Sequence, residues 1–218
     1  MRPFLSFSLF IVGLMLAGCS LIAGVSGSGK VVTEKRTVGG FDSILLSGSG
    51  QLEVDQNGEE SLSITADDNL LPLLTSEVEG TRLVLRVKAG SRLVPSQKIV
   101  YKISARKLNG MACEGDTSAV LRGIHTDELK LAISGSGDIS ADGTSDRQEI
   151  SIAGSGKYSG ANLKSKSATI SIAGSGDAVV AASETLDVKV AGSGSIKYIG
   201  EPKISQSIAG SGSIERQN

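Results

Sequence analysis

Apolar and polar residues alternate on both sides of a recurring Gly-Ser-Gly triplet, and this pattern organises most of the chain. The triplet stands at 48–50, 135–137, 154–156, 174–176, 192–194 and 210–212, and a degenerate copy, Gly115-Asp116-Thr117, fills the slot before Gly135. Gly27-Ser28-Gly29, with no strand-like run leading into it, reads as part of a tether. Two residues before each first glycine stand Leu46, Cys113, Ile133, Ile152, Ile172, Val190 and Ile208. Four before it stand Ile44, Met111, Leu131, Ile150, Ile170, Val188 and, as the one break, Gln206. Four after it stand Leu52, Ala119, Ile139, Tyr158, Ala178, Ile196 and Ile214. Such alternation around a fixed corner predicts strand, corner, strand, with every second side chain pointing inward. Ile124 and Leu163 supply a third apolar position, as a third side requires.

The spacing selects the architecture. From Gly115 onward the first glycines are separated by 20, 19, 20, 18 and 18 residues. Nineteen residues at about 3.3 Å each trace roughly 60 Å, one circuit of a three-sided coil whose successive laps stack at about 4.8 Å. A meandering sandwich reverses its strands and gives no reason for one repeated corner. The expectation is therefore an all-β, single-stranded parallel β-helix of about 18–20 residues per lap, with strand twist favouring the right hand. Its structural corners are Gly48 with Gly50, Gly115, Gly135 with Gly137, Gly154 with Gly156, Gly174 with Gly176, Gly192 with Gly194, and Gly210 with Gly212. A turn this sharp needs a residue at positive φ, and stacked corners crowd backbone on backbone; glycine serves both. The middle serines are expected to form a column, with hydroxyls bonded along its length. As a row of nucleophiles they lack any neighbouring base.

Residues 30–107 are less regular but rich in alternating runs, such as Leu83-Val84-Leu85-Arg86-Val87 and Ile99-Val100-Tyr101-Lys102-Ile103. Between them, Asp67-Asp68-Asn69 reads as the cap of a short helix from about Leu70 to Glu79, ended by Gly80 and covering the open end of the coil.

The N-terminus changes the picture of where this coil sits. Arg2 precedes an apolar and small run from Phe4 to Ala17, and Leu16-Ala17-Gly18-Cys19 follows. Fourteen residues rise only about 21 Å as a helix, short of the ~30 Å hydrocarbon core, so an export signal fits better than a membrane span. The four residues resemble the lipobox of bacterial lipoproteins. That resemblance implies cleavage before Cys19, acylation of its sulfur and, with Ser20 following, sorting to the outer membrane of a Gram-negative envelope. The chain then divides into a signal peptide (1–18), a lipidated cysteine with a flexible tether (19–34) and the β-helix domain (35–218). With Cys19 acylated, Cys113 has no disulfide partner.

Composition excludes several functions. The net charge is −1, and loss of Arg2 with the signal leaves 21 cations against 23 acids, or −2, which gives no electrostatic case for nucleic acid. Glycine is 28 of 218 residues, twice the usual ~7%, as repeated positive-φ turns demand. Aromatics are 3%, and Tyr158 and Tyr198 read as core fillers, so stacking on sugar is poorly supplied. The lone His125 cannot form a metal site and reads as a surface residue. Cys113 occupies an inward slot and reads as a small apolar residue. No cofactor or metal is expected. A carbohydrate-active enzyme would need clustered carboxylates; Asp138, Asp142, Asp146, Asp177 and Asp187 are the candidates, with Asp138, Asp142 and Asp177 foremost. The position three after each first glycine reads Asp138, Lys157, Asp177, Ser195, Ser213, so no acidic ladder persists and a calcium-binding repeat is disfavoured.

Val38-Gly39-Gly40-Phe41-Asp42-Ser43-Ile44, then Asp67-Asp68-Asn69-Leu70-Leu71, then the run of Gly-Ser-Gly corners resemble the "putative auto-transporter adhesin, head GIN domain" family over about residues 35–215. The resemblance implies an exported β-helix, similar in shape to pectin-lyase-like proteins, with adhesion as the inferred role and no catalytic motif. An autotransporter carries a C-terminal barrel; this sequence stops at Asn218 just after a corner, so the lipid is expected to anchor it. The expected function is a non-catalytic, envelope-anchored adhesion, interaction or structural module. Its expected partners are the membrane, through Cys19, and an envelope polysaccharide or protein.

Overall fold

The computed structural model describes residues 24–217, so the signal segment, Cys19 and residues 20–23 lie outside the described residues. The chain enters through β1 (Val25–Ser26) and β2 (Val31–Arg36), then makes a first lap with β3 (Ser43–Ser47) and β4 (Gly50–Gln56). It leaves that lap through β5 (Ser61–Asp67), β6 (Leu74–Glu79), β7 (Arg82–Val87), β8 (Leu93–Val94) and β9 (Val100–Ala105), and rejoins the stack at β10 (Gly110–Gly115). Four long strands follow, β11 (Thr117–Gly135), β12 (Asp138–Gly154), β13 (Lys157–Gly174) and β14 (Asp177–Gly192), each bending through a lap. β15 (Ser195–Ile199), β16 (Lys203–Gly210) and β17 (Ser213–Arg216) end the stack.

From β10 to β17 every rung pairs parallel with the next, and the predicted ladders are the register. Met111, Leu131, Ile150, Ile170 and Val188 lie over one another, as do Cys113, Ile133, Ile152, Ile172 and Val190, and all ten are buried. Each fully buried Ile or Leu contributes about 1.5–3 kcal/mol, and because the columns are continuous the core has no seam between laps. The break at Gln206 falls in β16, where all eight residues are exposed and the inward slot opens to solvent.

The first glycines of the corners form one column, Gly115, Gly135, Gly154, Gly174, Gly192 and Gly210, with Gly48 beneath Gly115. All seven have φ between +110° and +142°. At Gly135, φ is +122° and an added Cβ would lie 2.7 Å from the Gly115 carbonyl oxygen. The second glycines are not at positive φ, and close approach alone keeps them small: a Cβ on Gly176 would lie 2.6 Å from the Gly156 oxygen. The degenerate corner admits Thr117 at this place, where its buried hydroxyl donates to the Gly48 carbonyl at 3.0 Å. The expected serine hydroxyl ladder is not formed. The serine side chains are exposed, and the corners are stitched by backbone instead, Ser155 N–H donating to Gly135 O at 2.9 Å and Ser175 N–H to Gly154 O at 2.9 Å.

The N-terminal part departs from the expectation in two ways. First, the helix from Leu70 to Glu79 is absent: only a 3-10 turn, Leu71–Leu73, forms, and Leu74–Glu79 is a strand antiparallel to β7. The capping groups are engaged elsewhere. Asp67 accepts from Gly29 N–H (2.8 Å), Asn69 from Ser28 N–H (2.9 Å), and Asp68 from the Ser28 hydroxyl (2.6 Å). Gly80, φ +63°, is the first residue of a two-residue hairpin connection, not a helix stop. Second, residues 25–34 are not free tether. Val25–Ser26 pairs with Leu93–Val94, and β2 pairs antiparallel with β5.

The stacking order also differs from the chain order. β7 lies on β3 opposite β10, and β9 lies on β4 opposite β11, so residues 82–105 form a lap outside residues 43–56, which precede them in sequence. β6 on β7, and β5 with β2 on β9, turn antiparallel and close this end.

Candidate functional site

The laps are irregular away from the glycine column, and a groove of about 900 Å³ lies there. Its origin is a change of lap length. In β13, Gly160 pairs with Val180 and Lys164 with Ala181, so residues 161–163 have no partner in β14. Where a 20-residue lap meets an 18-residue lap the wall steps inward. Related register shifts occur between Leu121 and Ile124 and between Ser140 and Asp142.

Two columns make the floor. One runs His125, Thr144, Lys164, Ala181, Ile199, the other Thr126, Ser145, Ser165, Ala182. Gln56 extends the first column: its side-chain amide donates to His125 O (3.0 Å) and its oxygen accepts from His125 N–H (3.1 Å). Beyond Gln56 stands Ala105, its partner in β9, followed by Arg106 and Lys107 on the groove wall. The groove therefore crosses the laps lengthwise. Its surface is polar and basic at the β9 end and apolar at Ala181, Ala182 and Ile199.

A buried polar network holds the floor in place. The Tyr158 hydroxyl donates to Gln148 Oε1 at 2.7 Å, and Gln148 Nε2 donates to Leu163 O (3.0 Å) and Ser165 Oγ (2.9 Å). Ser165 Oγ in turn donates to Ala181 O at 2.8 Å. Gln148 is fully buried, yet no buried side-chain polar atom among the described residues lacks a partner. Satisfied networks of this kind fix geometry. Burial pushes the Tyr158 phenol well above its ordinary value, so it stays a donor at any physiological pH.

The charges divide into two lips. Lys166 bridges Asp146 at 2.9 Å, and this hydrogen bond and charge, with Glu184 and Asp127 nearby, raise the lysine above its ordinary value. Arg106 is paired with Glu60 at 3.5 Å. Lys107 and Lys164 are exposed and have no carboxylate partner among the described residues.

The carboxylates named from sequence are not assembled. Asp138 and Asp177 stand in one column with Lys157 between them, two rungs or about 9.6 Å apart. Asp142 lies at the next corner, where it accepts from Gly123 N–H at 2.9 Å, and Asp187 stands between Thr169 and Ser205 on another side. Only Asp146 lines the groove, beside Asp127, which the sequence reading passed over. His125 is exposed, with Nδ1 2.9 Å from the Thr144 hydroxyl. Cys113 is buried, and burial raises its thiol to about 12, so it is a core residue without nucleophilic character. Tyr158 is buried, and half-buried Tyr198 packs against the core.

The fold is a parallel β-solenoid that displays side chains at a fixed rung interval along a groove. The chain belongs to the family described as "Putative auto-transporter adhesin, head GIN domain", whose model matches residues 40–202. Among solved structures it is similar to a "putative adhesin" from Bacteroides fragilis, at 27% identity and TM-score 0.73, covering 89% of this chain and 100% of that one. It is also similar to a "putative lipid binding protein" from Parabacteroides distasonis, at 26% identity and TM-score 0.56, covering 90% and 100%. A second P. distasonis "putative adhesin", 22% identical with TM-score 0.58 over 89% and 100%, shares the fold. No curated protein matches the chain.

Proposed function

We propose that the protein is a non-catalytic adhesion or interaction module of the cell envelope, anchored in the outer membrane by lipid on Cys19, with the groove as its ligand surface. The observation that carries this reading is the groove itself: a preformed concavity in the size range of ligand sites, floored by a locked network and lined by side chains from successive laps. Membership of an adhesin family supports the adhesive role. The Leu16-Ala17-Gly18-Cys19 sequence supports the anchor. A lipid ligand, which the name of the P. distasonis relative suggests, is less well served by an open groove whose apolar part is two alanines and one isoleucine.

Two experiments test the two halves. Cells expressing the full chain should incorporate labelled palmitate and hold the protein in the membrane fraction, and Cys19→Ser should abolish both. Labelling that survives the substitution contradicts the anchor. For the groove, Thr144→Trp, at an exposed position in the middle of the floor, should fill it and eliminate retention of envelope material by the purified protein while thermal unfolding stays unchanged; unchanged retention contradicts the site.

A second reading, a carbohydrate-active enzyme, draws on one observation. Thr126 pairs with Ser145 and Glu128 with Arg147, so Asp127 and Asp146 occupy adjacent rungs at the groove lip. Two carboxylates about 5 Å apart are the arrangement of retaining glycosidases. Lys166 neutralises Asp146, which argues against a free acid–base pair. Polysaccharide turnover lost in both Asp127→Asn and Asp146→Asn would establish this reading over the first.

A further inference from the structure

We propose that the groove binds an acidic oligosaccharide lying across the laps, with separate acid groups on Lys107 and Lys164; the proposal rests on the reading of the groove as the ligand surface. Charge favours an acidic ligand: the groove walls carry two exposed lysines, Lys107 and Lys164, without a carboxylate partner among the described residues. Neither is used in an ion pair, whereas Arg106 and Lys166 in the same walls are.

The separation of the lysines favours a chain of acid groups. β9 and β13 are four strand steps apart through β4, β11 and β12, about 19 Å at ~4.8 Å per step, and Lys107 lies two residues beyond the end of β9 while Lys164 lies in β13. A single phosphate or carboxylate headgroup cannot meet both; a chain that repeats its acid groups can. Between the lysines the lining offers what hydroxyl-rich rings require: the exposed Thr144 hydroxyl and the Asp127 carboxylate, which is in no ion pair among the described residues and accepts from sugar hydroxyls.

A nucleic-acid strand needs successive aromatic faces for its bases, and the groove offers one ring, the His125 imidazole, with no Phe, Tyr or Trp. An acyl chain needs a continuous apolar channel, and here the apolar part is confined to the far end.

The test is titration calorimetry on the full-length protein in detergent, with tetragalacturonate, an alginate tetrasaccharide and a chondroitin sulfate tetrasaccharide as acidic probes. Neutral galactotetraose, poly-glutamate and glycerol phosphate, the soluble headgroup of phosphatidylglycerol, are the comparison probes. At least one acidic tetrasaccharide should bind, and the neutral sugar should bind at least ~10-fold more weakly. K107Q/K164Q should lose at least ~10-fold while its thermal unfolding stays unchanged, as substitution of exposed residues predicts. Failure of all three acidic sugars overturns the proposal, as does equal binding of galactotetraose, an unaffected double variant, or preference for poly-glutamate or glycerol phosphate. If Thr144→Trp, folded as the parent, still eliminates retention of envelope material while the acidic sugars fail, the ligand class is wrong and the groove reading stands. If Thr144→Trp has no effect, the groove reading itself has failed.

Discussion

Replacing Gly135 by alanine perturbs the corner column at its most informative point. The first cost is conformational: φ is +122°, where an L-residue is disfavoured by about 1–2 kcal/mol. The second is steric. The new Cβ would sit 2.7 Å from Gly115 O, 3.2 Å from its carbonyl carbon and 3.3 Å from its Cα, all backbone atoms that cannot rotate aside. Relief requires the rungs to part, which loosens the Leu131 and Ile133 columns beside them; overpacking of this kind costs about 1–3 kcal/mol more. Gly58 supplies the control, because φ is +89° there and nothing lies within 4 Å of an added Cβ. Urea unfolding should therefore show a loss of about 2–5 kcal/mol for Gly135→Ala and about 1–2 kcal/mol for Gly58→Ala. Losses equal within ~0.5 kcal/mol would refute the claim that stacking contact, beyond backbone preference, makes the corner glycine obligatory.

Further outcomes follow from the buried groups. Gln148→Leu leaves the Tyr158 hydroxyl, the Leu163 carbonyl and Ser165 without their partner, and should cost about 1–3 kcal/mol in unfolding measurements while speeding hydrogen exchange around Lys164–Ala182. The Cys113 thiol has a higher pKa folded, about 12, than its ordinary value of 9.0, so the folded state holds the proton more tightly and stability falls as pH rises from about 9 towards 12. Cys113→Val should remove that part of the alkaline loss, and native Cys113 should resist iodoacetamide at pH 8. The Ser96 hydroxyl and amide, with Gly29 N–H, hold Asp67 below its ordinary 3.8, so its contribution is complete above pH 3.8 and is lost as pH falls below that value. Asp67→Ala should accordingly accelerate hydrogen exchange at Val25–Lys30 and at Ser96 while leaving β11–β14 protected.

The stack was legible in sequence because its signal is spacing. A corner that must be glycine, flanked by Ile and Val at fixed offsets, recurs at one lap length, and the rung registers follow directly. The end of the stack was not legible. Leu70, Leu71, Leu74 and Val78 mimic a helical face, and Asp67-Asp68-Asn69 mimics a cap, but those polar groups bind residues 26–30, some forty positions earlier. Only a tertiary contact distinguishes the two cases. The groove was hidden for a related reason. Its lining comes from single residues one lap apart, and its depth comes from residues 161–163 having no counterpart in the next lap. The shortening from 20 to 18 residues was visible in the glycine spacing and is the one sequence signal that points to it.

The central claim is that each lap lies directly on the last. Spin labels on corner serines, in a Cys113→Val background lacking residues 1–19, measure this by pulsed electron resonance. Ser136 and Ser211 are four rungs apart and Ser49 and Ser211 six, so the distances should be about 19 Å and 29 Å, rising by about 4.8 Å per rung, give or take the label arms. Separations that do not increase in the order of the rungs would contradict the stacked solenoid and the groove built on it.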